Sequence, residues 1–163
     1  MADGRQNEAV SDAGRYLSIA VNLTGEPCLI VGGGPVGLRK AKVLAAAGAR
    51  VTFLAPEVCT LCREWIDSGG VTWVPKRYRA DAMTGMFFVV AATSDPAINR
   101  EVARDARARG ILCCGTGLEG RSQVVFPATW ANDEIAVAVH SHGRDYRKSQ
   151  AARDAIVRRF LES

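Results

Sequence analysis

Short, continuous apolar segments alternate with segments of helical periodicity over the first two thirds of the chain. Residues 28–31 and 86–92 are apolar throughout, which is typical of strands buried on both faces in a parallel sheet, and residues 50–54 predict another strand. Residues 71–74 and 110–114 predict two further strands. This alternation predicts an α/β fold with a five-stranded parallel sheet. The intervening helices are predicted at residues 36–45, 57–68 and 97–109.

The alternation stops after the glycine-rich residues 115–120. Apolar runs at residues 124–128 and 134–139 follow one another across a polar turn with no helix between them, so they predict an added hairpin. A hairpin of this kind exposes apolar surface and sheet edges that need cover. A second copy of the chain would provide that cover, and we therefore predict a homodimer built on this segment. A helical pattern follows at residues 146–161.

The glycine cluster after the first predicted strand is the most informative motif. Gly32, Gly34 and Gly37 have the G-x-G-x-x-G spacing, and Pro35 suits the first turn of the following helix. In this arrangement the first glycine permits a tight turn, the second lets a pyrophosphate approach the backbone, and the third brings helix and strand together. The motif predicts dinucleotide binding, with a purely structural glycine turn as the alternative.

The ends of two other predicted strands offer further ligand contacts. The second strand is followed by Ala55, Pro56 and Glu57, so the carboxylate that could bind the ribose comes two residues late. No arginine follows that strand before Arg63, which favours NAD over the 2′-phosphate of NADP. Thr93 follows the fourth strand at the carboxyl edge of the sheet, where it is either a ligand group or part of a plain helix cap.

Bulk composition limits the class of protein. The chain has 163 residues, 48% of them hydrophobic and 23% charged, as expected of one compact domain or a domain with an appendage. We expect a cytoplasmic protein with no membrane partner, because no apolar run approaches a membrane span and the start lacks a signal peptide. The net charge is +4, but the basic residues are dispersed, which argues against nucleic acid and suits an acidic small molecule such as a polycarboxylate.

The five cysteines allow two sharper interpretations. An odd number in a chain without a leader argues against a disulfide framework. Cys59 and Cys62 have C-x-x-C spacing, which suits metal binding or redox chemistry. The remaining cysteines do not supply a second C-x-x-C pair, and Cys28 and Cys113 occupy predicted strands as small apolar residues. We therefore predict no metal site.

Three segments together resemble the precorrin-2 dehydrogenase family, the NAD-dependent enzymes of sirohaem synthesis that also form the front half of bifunctional sirohaem synthases. The segments read VGGGPVGLRKAKVLAAAGARVTFLAPE, VVAATSDPAINREVARDARARGIL, and VFPA followed by IAVAVHSHG, and residues 17–25 before the first strand add to the resemblance. The resemblance spans about residues 16–160.

The resemblance implies a Rossmann-like doubly wound parallel sheet, then a small dimerisation hairpin region and the start of a helical segment. The corresponding domains are residues 14–116, 117–145 and 146–163, with the family's C-terminal helical domain cut short. The implied reaction is oxidation of precorrin-2 to sirohydrochlorin with NAD as hydride acceptor, and some members also insert iron. The resemblance places cofactor contacts on Gly34, Pro35, Val36, Pro56, Glu57 and Thr93. With the residues argued from the glycine motif and strand ends, the predicted cofactor-binding set is Gly32, Gly33, Gly34, Pro35, Val36, Gly37, Ala55, Pro56, Glu57 and Thr93.

Two departures from the family pattern concern catalysis. The aspartate proposed as a shared catalytic group in the family falls on Gly117 here. The next segment also differs and holds His140, Ser141 and His142, which are the predicted catalytic residues. An extended backbone would direct both imidazoles to the same side, and the alternative is a pair of exposed loop residues. We expect a dehydrogenase with weak or no chelatase activity; the alternatives are a bifunctional dehydrogenase and ferrochelatase, and a non-catalytic NAD- or tetrapyrrole-binding protein.

Overall fold

The computed structural model describes residues 16–118 and 122–160. The chain divides into two compact units. One is Ala20–Val124, and the other consists of the described parts of residues 1–19 and 125–163. The three-part division predicted from the sequence stays a prediction.

The unit Ala20–Val124 contains a five-stranded parallel sheet in the order β3-β2-β1-β4-β5. The first strand is central and pairs on both sides, with Cys28 opposite Val51 on one neighbour and Phe88 on the other. The predicted α/β class and all-parallel sheet are confirmed. The strands are β1 (Pro27–Val31), β2 (Arg50–Leu54), β3 (Thr72–Val74), β4 (Phe88–Ala91) and β5 (Leu112–Gly115).

Helices connect these strands and cover both faces of the sheet. Leu29 and Val31 point to one face, where they join a core with Val102 of the third helix. On the other face, Phe53 meets the ring of Trp65 edge-on at 6.3 Å between ring centroids. Coverage on both faces makes this a doubly wound sheet, as predicted. The helices are α1 (Pro35–Ala46), α2 (Thr60–Asp67) and α3 (Pro96–Ala108), and a short 3₁₀ turn covers Ala80–Met83.

The second helix begins later than predicted, at Thr60 and not at residue 57. The backbone of Glu57 and Val58 lies against Gly33, and the Cys59 N–H donates a hydrogen bond to the Gly33 carbonyl at 2.8 Å. These contacts hold the segment extended, so the helix starts only beyond them.

The other unit contains an antiparallel hairpin and a helix. Strands β6 (Ala128–Ala131) and β7 (Ala136–Val139) pair with each other, and α4 (Tyr146–Phe160) contacts both. The hairpin itself is confirmed. The prediction of its first strand at residues 124–128 was wrong, because residues 124–127 form no strand. Two causes are visible: the Val124 N–H donates to the Cys113 carbonyl instead, and Pro127 has no N–H for a strand ladder.

Candidate cofactor-binding site

Gly32 makes the turn at the carboxyl end of the central strand. Its φ is +114°, a conformation that side-chain-bearing residues rarely adopt. A Cβ here would lie 2.4 Å from the Ala92 carbonyl oxygen, and the Gly32 N–H donates to the Leu54 carbonyl at 3.0 Å. The turn therefore needs glycine at this position for its own geometry, whatever binds beside it.

Gly33 locks the turn to the segment after β2. A Cβ on Gly33 would lie 2.4 Å from the Glu57 carbonyl oxygen and 2.7 Å from a Val58 methyl carbon. Its carbonyl accepts the Cys59 N–H. The turn and the segment that leads into α2 thus form one closely packed layer.

Gly34 has the opposite surroundings, because nothing lies within 4 Å of a Cβ built on it. It is the N-cap of α1, in an extended conformation that any residue adopts, and no side chain caps the helix. The first helical hydrogen bond runs from the Leu38 N–H to the Gly34 carbonyl at 3.0 Å. The N–H groups of Val36 and Gly37 consequently have no partner within the helix, and Pro35 has no N–H. Open space in front of a helix N-terminus fits an anionic pyrophosphate.

Gly37 accounts for the closeness of helix and strand. A Cβ there would lie 2.8 Å from the Gly32 carbonyl oxygen and 3.1 Å from a methyl carbon of Ile30. The absence of a side chain lets α1 start directly above the turn, so that its first-turn N–H groups face the same space as Gly34.

A cleft of about 550 Å³ opens at the carboxyl ends of the parallel strands. This edge is where open α/β sheets bind ligands. Of the predicted cofactor-binding residues, Pro35, Val36 and Gly37 are not among its lining residues. Those that line it are Gly32, Gly33, Gly34, Ala55, Pro56, Glu57 and Thr93.

Thr93 is held in place by the buried side chain of Asn99. The Asn99 amide oxygen accepts the Thr93 N–H at 3.0 Å and its hydroxyl at 2.9 Å, and the amide nitrogen donates to the Thr93 carbonyl at 3.0 Å. The same nitrogen contacts the carbonyl and hydroxyl oxygens of Thr116. Asp95 caps α3 by accepting the Ala97 N–H at 2.7 Å. The helix cap predicted for this segment is confirmed. Thr93 also lines the cleft, and its role as a ligand group stays a prediction.

Several residues of the cleft are absent from the set predicted from the sequence, and Arg77, Tyr78 and Glu101 among them carry polar or charged side chains. Arg77 and Tyr78 line it from the segment after β3. Burial and a 2.9 Å hydrogen bond from the Tyr78 hydroxyl to Asp105 raise the pKa of Tyr78. The only available signal was that β3 is a parallel strand, whose carboxyl end must lie at the same edge as that of its neighbour β2.

The predicted catalytic residues belong to the other unit. His140 accepts or donates a hydrogen bond with the Ser18 hydroxyl at 3.1 Å, and its ring meets those of Tyr16 and His142 edge-on. The Ser141 hydroxyl donates to the Asp145 carbonyl at 2.6 Å. The expected extended backbone is wrong, because His142 has a φ of +55°. The two imidazoles are nevertheless neighbours, with ring centroids 5.1 Å apart, and their catalytic role stays a prediction.

Gly117 lies in the turn after β5 and has a φ of +68°. This left-handed conformation favours glycine over most other residues. The position that would carry the family's aspartate therefore has a backbone suited to the residue found there.

Two strand cysteines, Cys28 and Cys113, are buried, as expected of small apolar residues. Burial raises the pKa of Cys28 to about 11 and that of Cys113 to about 12. Both thiols therefore stay uncharged near neutral pH and can pack as small apolar side chains.

Among the residues that the structure describes, no group of three or more His, Cys, Asp or Glu side chains is arranged to hold a metal ion. No helix in that same portion is both long and apolar enough to cross a membrane.

Known proteins resemble this chain in sequence and in fold. Siroheme synthase of Chromobacterium violaceum is 40% identical over 128 residues, which cover 78% of this chain and 27% of that protein. Siroheme synthase of Pseudomonas aeruginosa (strain LESB58) is 38% identical over 128 residues, which cover 78% of this chain and 28% of that protein. The chain thus spans about a quarter of the length of these curated relatives.

A solved structure of "SirC, precorrin-2 dehydrogenase" matches 90% of this chain and 72% of its own, with a TM-score of 0.75 and 23% identity. This likeness shows a common fold. Residues 19–128 match a family model described as "Putative NAD(P)-binding". The matched region includes the glycine turn and every residue found to line the cleft. The chain therefore belongs to this NAD(P)-binding family.

Proposed function

We propose that this chain binds NAD and oxidises precorrin-2 to sirohydrochlorin in sirohaem biosynthesis. The observation that carries the proposal is the open space at Gly34, in front of a helix N-terminus that no side chain caps. Relatives named siroheme synthase and a structural neighbour titled precorrin-2 dehydrogenase support the substrate.

The residues of the cleft suit each part of a dinucleotide. The backbone N–H groups of Val36 and Gly37, beside the open Gly34, would hold the pyrophosphate. The segment Pro56–Glu57 would contact the adenosine ribose, and Thr93 lies across the cleft from it on the strand-β4 side. When bound, the nicotinamide supplies the hydride acceptor for the oxidation.

The preference for NAD over NADP is part of the proposal. Glu57 lines the cleft after β2, where a carboxylate accepts hydrogen bonds from ribose hydroxyls and repels a 2′-phosphate. Arg77 lines the same cleft, and its guanidinium would favour the phosphate. Titration of the protein with NADH and NADPH tests this, and a tighter Kd for NADPH that is lost in Arg77→Ala would reverse the choice.

The acidic tetrapyrrole is compatible with the charge of the chain. A hollow of about 290 Å³ on the α3 side is lined by Arg100, Arg104 and Arg107. Arg104 is ion-paired with Asp105 at 3.2 Å. The positive charges of Arg100 and Arg107 are part of the chain's net charge of +4 and would attract carboxylates.

The decisive experiment follows NADH absorbance after NAD and freshly prepared precorrin-2 are mixed with the protein, without metal and under anaerobic conditions. We expect absorbance to rise with the parent chain and to stay flat with Gly34→Asp, which adds a negative charge where the pyrophosphate would bind. The melting temperature of Gly34→Asp should be no lower than that of the parent, because its side chain enters open space and aspartate is a favoured N-cap residue. A flat trace from folded, NAD-binding parent protein would contradict the dehydrogenase proposal and favour a non-catalytic binding protein.

A homodimer built on the hairpin is the proposed assembly. In the described part of the chain, β6 and β7 form a sheet of two strands. An isolated two-stranded sheet is marginally stable in water. Ile135 in its turn and Phe160 at the end of α4 are exposed apolar residues of the same unit. A second copy would cover such surface.

A further inference from the structure

The cysteines of the C-x-x-C motif lie side by side at the start of α2. Cys59 is the N-cap of the helix and Cys62 lies in its first turn. Their sulfur atoms are 3.3 Å apart, with the Cys59 thiol donating to the Cys62 sulfur. Both are free thiols in this structure. A disulfide has an S–S bond of about 2.05 Å, so a small rotation of one side chain would bring the sulfurs to bonding distance.

The two thiols differ in access to solvent. Cys62 is fully buried, whereas Cys59 is partly exposed. Burial and the neighbouring Cys59 raise the pKa of Cys62. One sulfur is thus placed to meet a reagent from solution, and the other is protected and placed to react only with its neighbour. Pairs of this kind, with an accessible attacking and a buried resolving cysteine, undergo thiol–disulfide exchange.

Both cysteines are hydrogen-bonded to the glycine turn of the cofactor site. The Cys62 thiol donates a hydrogen bond to the Gly33 carbonyl at 3.5 Å, and the Cys59 N–H donates to the same carbonyl at 2.8 Å. Gly33 also has no spare room, because a Cβ there would lie 2.4 Å from the Glu57 carbonyl oxygen. Oxidation would remove the S–H donor and move both sulfurs. Because the turn beside them is closely packed, its backbone would have to move as well.

We propose that Cys59 and Cys62 form a reversible disulfide in the presence of a low-molecular-weight disulfide, and that the oxidised pair weakens dinucleotide binding at the adjacent turn. The second half of this inference rests on the proposed function, since it concerns the same cofactor cleft. A metal ion is a poorer occupant of the pair, because in the described part of the chain no third His, Cys, Asp or Glu joins it.

The chemistry balances without any further reagent. Cys59 loses its proton to solvent, and its thiolate attacks one sulfur of the small disulfide, which forms a mixed disulfide and releases one thiolate that takes up a proton. The Cys62 sulfur then attacks the Cys59 sulfur as its proton passes to the departing thiolate, which forms the protein disulfide and releases the second thiol. Two protein thiols are oxidised, and one small disulfide is reduced to two thiols.

The experiment treats the full chain with oxidised glutathione, maps disulfides by peptide mass spectrometry, and titrates NADH into the reduced and oxidised forms. We expect a Cys59–Cys62 disulfide, a Kd for NADH raised about fivefold, as for the loss of one hydrogen bond, and full recovery with dithiothreitol. Cys59→Ser should keep the affinity of the reduced parent in both conditions, because serine is also a good N-cap. Cys113→Ala is the matched control that removes a buried thiol elsewhere, and it should respond to oxidation as the parent does.

The outcomes separate the two proposals. No Cys59–Cys62 disulfide after prolonged oxidation overturns the redox inference, whatever the affinity for NADH. A disulfide without a change in Kd overturns the regulatory half. Reduced protein that binds neither NADH nor NADPH contradicts the proposed function and removes the regulatory half with it, while the peptide map still decides whether the disulfide forms.

Discussion

Asn99 holds Thr93 through three hydrogen bonds, two accepted by its amide oxygen and one donated by its amide nitrogen to the Thr93 carbonyl. The same amide nitrogen reaches Thr116 in the turn after the neighbouring strand. One buried side chain of α3 therefore fixes the conformation of two turns at the carboxyl edge of the sheet. An apolar residue at this position would make none of these hydrogen bonds to the two turns.

Replacing Asn99 by alanine should lower the free energy of unfolding by about 1–2 kcal/mol, because partly buried backbone groups of Thr93 lose their partners. The affinity for NADH should fall as well, since Thr93 lines the cleft. Urea denaturation and NADH titration measure the two effects. Arg100→Ala, an exposed neighbour on the same helix, is the control and should change stability by no more than about 0.5 kcal/mol. Equal stability of Asn99→Ala and Arg100→Ala would refute the role given to the Asn99 network.

Two glycines of the turn should respond in opposite ways to the same substitution. Gly32→Ala combines a positive φ with a backbone clash, so we expect a loss of about 2 kcal/mol or more of stability. Gly34→Ala enters open space in an ordinary conformation and should melt as the parent does, yet bind NADH about tenfold or more weakly. Thermal melts and NADH titrations of the pair provide the measurement. Unchanged NADH affinity in Gly34→Ala would place the pyrophosphate elsewhere.

Alkaline pH should destabilise the protein through its buried thiols. The pKa of Cys113 rises from 9.0 to about 12 on folding, so between these values the unfolded chain binds fewer protons than the folded one. This contribution to stability is fully present below pH 9 and is lost as the pH rises toward 12, with a slope of at most about 1.4 kcal/mol per pH unit. Urea unfolding under reducing conditions, from pH 8 to 11, should show a shallower decline for Cys113→Ala than for the parent. Parallel curves would contradict this account.

The imidazoles of His140 and His142 are the proposed proton-transfer groups, because histidine is the side chain that most often acts as a general acid or base. Changing both to alanine should abolish NADH formation while NADH affinity survives. Because His142 has a positive φ, His142→Asn is the companion variant, since asparagine tolerates that conformation better than alanine. Turnover that survives in both the double alanine variant and the His140→Ala/His142→Asn variant would remove the histidines from the mechanism.

The proposed homodimer predicts a dimeric mass in sedimentation equilibrium at micromolar concentration. Ala138 is exposed on β7, so Ala138→Lys should place a charge in the interface and shift the mass toward the monomer. Glu134→Lys, in the exposed turn of the same hairpin, serves as the control for added positive charge. A parent chain that sediments as a monomer would refute the dimer.

Local pattern sufficed for the parallel sheet but not for the full outline of the cleft. Continuous apolar runs identify buried strands, and the spacing of Gly32, Gly34 and Gly37 identifies the turn, because both signals reside in neighbouring residues. Arg77 lines the cleft because it follows β3, which lies beside β2 in the sheet. The order of strands depends on contacts between residues that are distant in the sequence. A prediction from local periodicity therefore could not include Arg77.

Two of the differences in element boundaries have the same kind of cause. Apolar character at residues 124–126 favoured a strand, yet hydrogen bonding of Val124 to Cys113 drew the backbone to another partner. Helical pattern at residues 57–59 favoured a helix, yet Gly33 engages that segment first. In both places a tertiary hydrogen bond outweighed local propensity, which is a weak term of a few tenths of a kcal/mol per residue.

The hydrogen bonds that tie Gly32 to Leu54 and Gly33 to Cys59 also bear on the thermodynamics of ligand capture. Glycine loses more conformational entropy than any other residue when its backbone is fixed. Here that loss occurs when the chain folds, so the turn is preorganised and an arriving dinucleotide meets a rigid cradle. Association at this turn should therefore proceed without a slow isomerisation step, and its entropy change should reflect the ligand and the released water more than the protein backbone.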